Sequence, residues 1–162
     1  MHPDSIPHDD ELLFSTLKRG RKVYGGGGIT PDIYINIDSI ELSSGLLKAY
    51  NDAKFEHSAI DILDRVSTND IVEQYPTYKA FNDKFTLSNE LKNIFYHNTG
   101  IEAEMLSDID SEFIEAILLA MIAEPIYGDY ARHYIYGIRF DYMMRRAIAI
   151  ANDEELMHNT LL

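Results

Sequence analysis

Four consecutive glycines, Gly25 to Gly28, are the first candidate for chemistry in this sequence, because glycine-rich loops bind phosphate groups. Such loops have the spacing G-x-x-x-x-G-K-[ST] or G-x-G-x-x-G, and they lead into a helix whose free N–H groups hold the anion. Neither spacing is present, and Ile29, Thr30 and Pro31 lead into a predicted strand. We therefore expect a tight loop or bulge, in which the backbone passes close to another segment.

Ser15 and Lys18 have the S-x-x-K spacing of serine acyl-transferases. That chemistry requires a helix, which places residues three apart on one face, whereas a strand places them on opposite faces. The surrounding sequence predicts a strand, and no S-D-N or K-T-G partner follows. We interpret the match as coincidence.

No metal or cofactor site is predicted. The six histidines never pair at the i, i+4 spacing of a helical metal site: His2, His8, His57, His97, His133 and His158. The absence of cysteine excludes disulfides, thiolate ligands and a cysteine nucleophile. We therefore expect the chain to need no cofactor.

Three further groups of polar residues have a structural and a functional interpretation. The carboxylates are predicted to form a solvated face beside an apolar stripe: Glu112, Glu115 and Glu124. Several of four tyrosines are predicted to be core residues with hydroxyls at the surface, the alternative being that the four form a recognition surface: Tyr127, Tyr130, Tyr134 and Tyr136. The cations are predicted to lie in a hairpin turn, the alternative being a docking patch: Lys18, Arg19, Arg21 and Lys22. No nucleophile, base and orienting group can be assembled from these residues.

The charge of the chain limits its partners. The 162 residues include 27 acidic and 14 basic ones, for a net charge of −13. This charge argues against binding to nucleic acid or anionic membranes, because both would repel the surface. The first residues lack the basic and apolar runs of a signal peptide, and no apolar run approaches 18 residues.

The pattern of apolar residues predicts short strands followed by helices. Two strands are expected within 12–24, joined at Arg19 and Gly20, and a third within 29–37. Five helices are expected. The first covers about 42–66, the second begins at Pro76, and the third covers 88–100. The fourth covers 110–124 and is ended by Pro125 and Gly128, and the fifth covers about 129–153. The fold class is therefore mainly α: an antiparallel helical array preceded by a short β-hairpin. Two or three short strands are marginally stable alone, so we expect the sheet to continue outside this chain.

The segment "GRKVYGGGGITPDIYI" resembles a sequence near the end of the peptidase domain in carboxy-terminal processing peptidases, also called tail-specific proteases, of the Bacteroidetes type. The matched positions occur in the same order: Gly20, Arg21, Val23, Tyr24, Gly25, Gly26, Gly27, Gly28, Ile29, Pro31 and Asp32. The segments "YPTYKAFNDKF", "ILLAMIAEPIYGD" and "DYMMRRAIAI" are similar, more weakly, to the C-terminal extension of that family. Glu124 stands where the family has arginine.

The resemblance implies that residues 1–38 end a peptidase domain and that 39–155 form an all-α C-terminal domain. The sequence pattern predicts a frayed tail over 156–162. In the family, a PDZ domain binds the substrate tail, and a serine activated by a neutral lysine cleaves it. Both catalytic residues lie upstream, so none is expected in this chain. The implied partners are the upstream peptidase and PDZ domains, protein substrates of the parent and a second copy of the chain. The parent is implied to be extracytoplasmic, in the periplasm or at the envelope.

Two other functions remain open from the sequence. The chain could be a stand-alone helical interaction module whose hairpin binds a partner by strand addition. It could also be a helical domain that binds a small ligand in a closed, tyrosine-lined pocket.

Overall fold

A computed structural model describes residues 12–17, 20, 22–25, 33, 35 and 40–161. The chain divides into two compact units, one formed by Met1–Ile37 with Arg146–Leu162 and the other by Asp38–Arg145. The prediction of a mainly helical fold preceded by a short β-hairpin is confirmed.

The β-hairpin lies in the first unit. Strand β1 (Leu13–Ser15) pairs antiparallel with strand β2 (Lys22–Tyr24). Phe14 lies opposite Val23, and Gly20, with φ of 63°, lies in the connection between the strands. This positive φ favours glycine. The third predicted strand falls mostly outside the described residues, and its two described members, Ile33 and Ile35, are not in a strand.

The second unit begins with two helices where the sequence predicts one over 42–66. Helix α1 (Ser44–Asn51) and helix α2 (Lys54–Leu63) are separated by Ala53, whose φ of 56° is left-handed. The break brings the rings of Tyr50 and Phe55 edge to face, with centroids 5.8 Å apart. Tertiary packing of these aromatic rings accompanies a kink that the apolar periodicity did not reveal.

Three short helices follow, each with a hydroxyl at its N-cap. Helix α3 (Thr68–Gln74), which the sequence did not predict, is capped by Ser67. Helix α4 (Tyr78–Lys84) is capped by Thr77, so it begins two residues after Pro76. Helix α5 (Asn89–Thr99) is capped by Ser88 at its start and by Gly100, with φ of 71°, at its end, as predicted. In each case the hydroxyl oxygen accepts a backbone N–H that has no partner within the helix.

Helix α6 (Asp108–Tyr127) is the centre of the core. It contacts α2 and α4, and most of its residues between 113 and 123 are buried. The predicted end at Gly128 is confirmed, whereas Pro125 does not end the helix, which continues through this proline. Proline removes one helical hydrogen bond. Packing of Ile126 and Tyr127 against the core, with a hydrogen bond from the Tyr127 hydroxyl to the Tyr75 carbonyl, holds the last turn in place.

The predicted helix over 129–153 is also two helices. Helix α7 (Asp129–Arg139) packs against α6 and α4, and helix α8 (Tyr142–Ala151) begins after Phe140. At the break Asp141 accepts a hydrogen bond from the Met144 N–H at 2.9 Å, so its carboxylate caps α8. Helix α9 (Glu154–Leu161) includes most of the tail expected over 156–162.

Candidate functional site

The hairpin carries the described part of the family-like motif. Phe14 lies over Gly25, where a Cβ atom on the glycine would be only 2.7 Å from the Phe14 Cε2 atom. A side chain at this position would displace the ring, so the close approach expected of a glycine is present at Gly25. The Gly25 N–H donates to the Leu12 carbonyl at 2.8 Å and thereby extends the pairing of the strands.

Apolar side chains of the hairpin are open to solvent. Phe14 is 56% exposed, and Leu17 is fully exposed. Among the described residues the sheet has two strands, so each strand is paired along one edge. An isolated two-stranded sheet is marginally stable in water, and exposed apolar strands tend to pair with other chains. The hairpin is therefore a surface that a further strand or apolar face would stabilise.

The structure places four of the motif residues. Gly20 lies in the connection, Val23 and the backbone of Tyr24 lie in β2, and Gly25 follows β2. The remaining positions lie outside the described residues: Arg21, Gly26, Gly27, Gly28, Ile29, Pro31 and Asp32. Ser15 ends β1, whereas Lys18 lies outside the described residues, as do Arg19, His2 and His8.

The predicted solvated face of carboxylates is wrong for two of its three members. Glu115 is half-buried and lies 3.5 Å from the Lys92 ammonium and 3.7 Å from the Arg139 guanidinium. Glu124 is also half-buried and accepts from Arg132 at 2.7 Å. Glu112 is exposed as expected. The apolar periodicity of α6 did not indicate that cations from α5 and α7 approach its sides.

Arg139 also binds the buried side chain of Asn82. Its Nε donates to the Asn82 Oδ1 atom at 2.9 Å, and another guanidinium nitrogen donates to the Asn82 carbonyl. The oxygen of the buried amide is thus satisfied by an arginine from another helix, and its nitrogen donates to the Asp83 carboxylate at 3.0 Å. This arrangement ties α4 to α7, and we assign it a structural role.

The tyrosines divide between the core and the surface. Tyr127 and Tyr136 are half-buried, and burial is the main cause that raises the pKa of each hydroxyl, with Tyr75 adding to the effect at Tyr127 and Asp141 and Tyr50 at Tyr136. Tyr134 is half-buried, whereas Tyr130 is 68% exposed. Three of the four rings are thus half-buried, and Tyr130 lies at the surface.

Asp110 is a buried charged residue that the sequence reasoning missed. Its Oδ1 accepts from the Ser43 N–H at 2.9 Å, and its Oδ2 accepts from the Ser107 hydroxyl at 2.8 Å and the Ser107 N–H at 3.2 Å. Burial alone would raise the pKa of Asp110, but these hydrogen bonds lower it below its ordinary value. The sequence does carry a signal for this arrangement, because Ser107 lies three residues before Asp110 at the start of a helix, which is the spacing of a capping box.

We next consider groups of side chains that could bind a metal ion, and clefts that could bind a ligand, in the described part of the chain. Within it, no three histidine or acidic side chains are arranged to hold a metal ion. The largest of three described clefts, about 550 Å³, lies between α2 and α5 and is lined by polar residues including Asp61, Glu90 and His97. The others, about 490 and 420 Å³, contain one tyrosine, Tyr96, between them. None of these three clefts is the tyrosine-lined pocket that a small-ligand function requires.

No protein-family model, curated protein or solved structure matches this chain. Of the helices that the structure describes, none has the length and apolar character needed to cross a bilayer.

Proposed function

We propose that this chain is the non-catalytic C-terminal part of a PDZ-containing serine endopeptidase that processes the C-terminal tails of proteins. The support from sequence is the ordered motif between Gly20 and Asp32, which resembles the end of the peptidase domain in that family. The weaker similarity downstream extends over the helical unit.

The observation that carries the proposal is the exposure of apolar side chains on a two-stranded hairpin. Phe14 and Leu17 face solvent, and each described strand is paired along one edge. Burying such a surface is favourable by about 25 cal/mol per Å² of apolar area. In the proposed parent, the rest of the peptidase sheet supplies the missing neighbour.

The proposal assigns separate roles to the upstream peptidase domain and to the helical unit. The upstream serine attacks the peptide carbonyl after an upstream lysine removes its proton, so this chain contributes no catalytic residue. The helical unit packs against the peptidase domain, shapes access to the cleft or mediates assembly. The parent acts outside the cytoplasm, in keeping with the family that the motif resembles.

Expression of the complete reading frame that encodes this chain tests the proposal. We expect upstream sequence for a PDZ-like domain and a Ser/Lys pair, and cleavage of an unstructured tail peptide that is lost when that serine is changed to alanine. The 162-residue chain alone is the matched control and should not cleave the peptide. A reading frame without these upstream features, or cleavage by the purified chain alone, would refute the proposal.

A stand-alone interaction module is the second candidate, and the open strand edges of the hairpin favour it. In this case an extended peptide from a partner would add a third strand beside β1 or β2. A reading frame that begins at Met1, together with binding that disappears when a proline replaces Lys22, whose N–H points away from β1, would favour this function over the first.

A further inference from the structure

One methionine holds the start of helix α8 against helix α7. The Met144 N–H donates to the carboxylate of Asp141, which lies between the two helices, at 2.9 Å. The Met144 side chain covers Gly137 of α7. The three atoms nearest to the position of a Cβ atom on this glycine are the Cγ, Cε and Cβ atoms of Met144, at 3.3, 3.8 and 3.9 Å. Met144 is therefore fixed at the start of α8 through its backbone and packed on α7 through its side chain.

The contact between Met144 and Gly137 depends on the glycine. Gly137 is buried inside α7, where glycine is a poorer helix former than alanine. A Cβ atom at this position would push the methionine side chain away, so the close approach explains why a glycine suits the site. The thioether sulfur is bonded to both Cγ and Cε and therefore lies beside the backbone of α7. Both residues belong to the unit formed by Asp38–Arg145.

Met144 is accessible to solvent although it packs on α7. Its side chain is 48% exposed, and the neighbouring Met143 is 44% exposed. Met105 is 78% exposed, whereas Met121 in the core helix α6 is 6% exposed. Exposed thioethers are oxidised to sulfoxides, and this modification is reversible. A small oxidant can therefore reach Met144 in the folded chain.

Oxidation changes what the Met144 side chain can contact. Hydrogen peroxide transfers one oxygen atom to a lone pair of the sulfur as its O–O bond breaks, so the thioether loses two electrons, the peroxide gains them, and water leaves. The product is polar, and its oxygen accepts hydrogen bonds. Backbone N–H groups inside α7 already donate within the helix and cannot serve this oxygen. Because a polar group without a partner is better placed in water, the oxidised side chain turns away from Gly137.

We propose that Met144 is a site of reversible oxidation by peroxide, and that its sulfoxide releases the start of α8 from α7. Reduction by a thiol-dependent methionine sulfoxide reductase restores the contact, as two thiols become a disulfide and the oxygen leaves as water. This modification does not depend on the proposed peptidase assignment, so each can fail without the other.

Hydrogen–deuterium exchange before and after treatment with hydrogen peroxide tests the inference, and peptide mass mapping gives the oxidised fraction at each methionine. We expect Met105, Met143 and Met144 to be oxidised before the buried Met121. Amides of α8 should then exchange about fivefold faster or more, whereas amides of the buried helix α6 should not change. Treatment with the reductase and a thiol should restore the original exchange rates.

Three variants separate Met144 from the other methionines. Met144→Leu keeps an apolar side chain without sulfur, so peroxide should no longer accelerate exchange in α8. Met143→Leu removes a neighbouring thioether of similar exposure and should keep the full acceleration. Met144→Gln places a polar group beside Gly137 and should accelerate exchange in α8 without any oxidant.

Two results would overturn the inference. One is unchanged exchange in α8 when mass mapping shows that Met144 is oxidised. The other is an acceleration by peroxide in Met144→Leu that equals the acceleration in the original chain.

Discussion

Replacing Asp110 with asparagine should destabilise the helical unit much more than a similar change on the surface. Asp110 is 3% exposed, and its carboxylate joins the start of α6 to Ser43, the N-cap of α1 and 67 residues away in sequence. Asparagine keeps the shape of the side chain but replaces one carboxylate oxygen with a donor. That donor would face either the Ser43 N–H or the two Ser107 donors.

The magnitude follows from the hydrogen bonds. A hydrogen bond to a charged group contributes about 1.5–3 kcal/mol, and a buried donor left without a partner costs about 1–3 kcal/mol. Since asparagine retains one acceptor and the buried pair relaxes in part, we expect the free energy of unfolding to fall by about 2 kcal/mol for Asp110→Asn. For Asp110→Ala, which removes every acceptor, we expect about 3 kcal/mol.

The pH dependence gives a second test. Hydrogen bonds lower the pKa of Asp110 in the folded chain, so the stabilisation is complete above the unfolded pKa, which is about 4. It is lost as the pH falls through the lower, folded pKa. The difference in unfolding free energy between the original chain and Asp110→Asn should therefore be constant from about pH 7 to about pH 5 and shrink below about pH 4.

Urea unfolding monitored by circular dichroism at several pH values measures both effects. Asp108→Asn is the matched control, because Asp108 lies in the same first turn of α6 but is exposed. It reports the interaction of a carboxylate with the helix dipole alone, which is worth less than about 1 kcal/mol. Equal stability of the two variants, or a difference at Asp110 that does not change below about pH 4, would refute this reasoning.

Three other predictions concern the core, the helix ends and the ion pairs. Phe55→Ala should lower the free energy of unfolding by about 3–5 kcal/mol, because the buried Phe55 ring packs against the Phe95 ring with centroids 4.7 Å apart. In the same urea experiment Ile60→Ala, on the same helix at a 56% exposed position, should lower it by less than about 1 kcal/mol. Gly100→Ala should destabilise the chain by about 1 kcal/mol because Gly100 has a φ of 71°. Gly45→Ala should stabilise the chain by up to about 1 kcal/mol, because Gly45 lies inside α1 with open space around it. A change of the melting temperature in the same direction for both variants would contradict this prediction. Glu115→Gln should lower the free energy of unfolding by less than about 1 kcal/mol, and this loss should diminish in about 1 M salt, because the ion pairs of Glu115 with Lys92 and Arg139 are half-exposed and long. A larger loss that does not depend on salt would argue against an electrostatic origin.

The ends of helices were predictable where a single residue determines them. Ser88 and Gly100 bound α5 as expected, because a serine hydroxyl caps the first turn and glycine adopts the left-handed conformation at the end. The break at Ala53 was not predictable, since alanine is a strong helix former and adopts positive φ here in a turn whose neighbouring rings pack on the core. Pro125 did not end α6 as predicted, because contacts of the last turn of α6 with the core outweigh the hydrogen bond that the proline removes.

The candidate site was predictable in part. The alternation of apolar residues indicated the hairpin, and the glycine at position 25 indicated a close approach, although nothing in the sequence identified Phe14 as the neighbour. Tyr78 of α4 contacts Tyr130 and Tyr134 of α7, which lie far from it in the sequence. Periodicity within one helix does not report such contacts, so the sequence left the tyrosines with two interpretations.

Hydrogen–deuterium exchange, measured on this chain alone and within the full-length polypeptide, tests the central proposal most directly. If the hairpin belongs to a larger peptidase sheet, amides of β1 and β2 should exchange rapidly in the isolated chain and slowly in the full-length protein. The buried helix α6 should be protected in both and serves as the internal control. Strong protection of the hairpin in the isolated, monomeric chain, with no further protection in the full-length protein, would contradict the proposal.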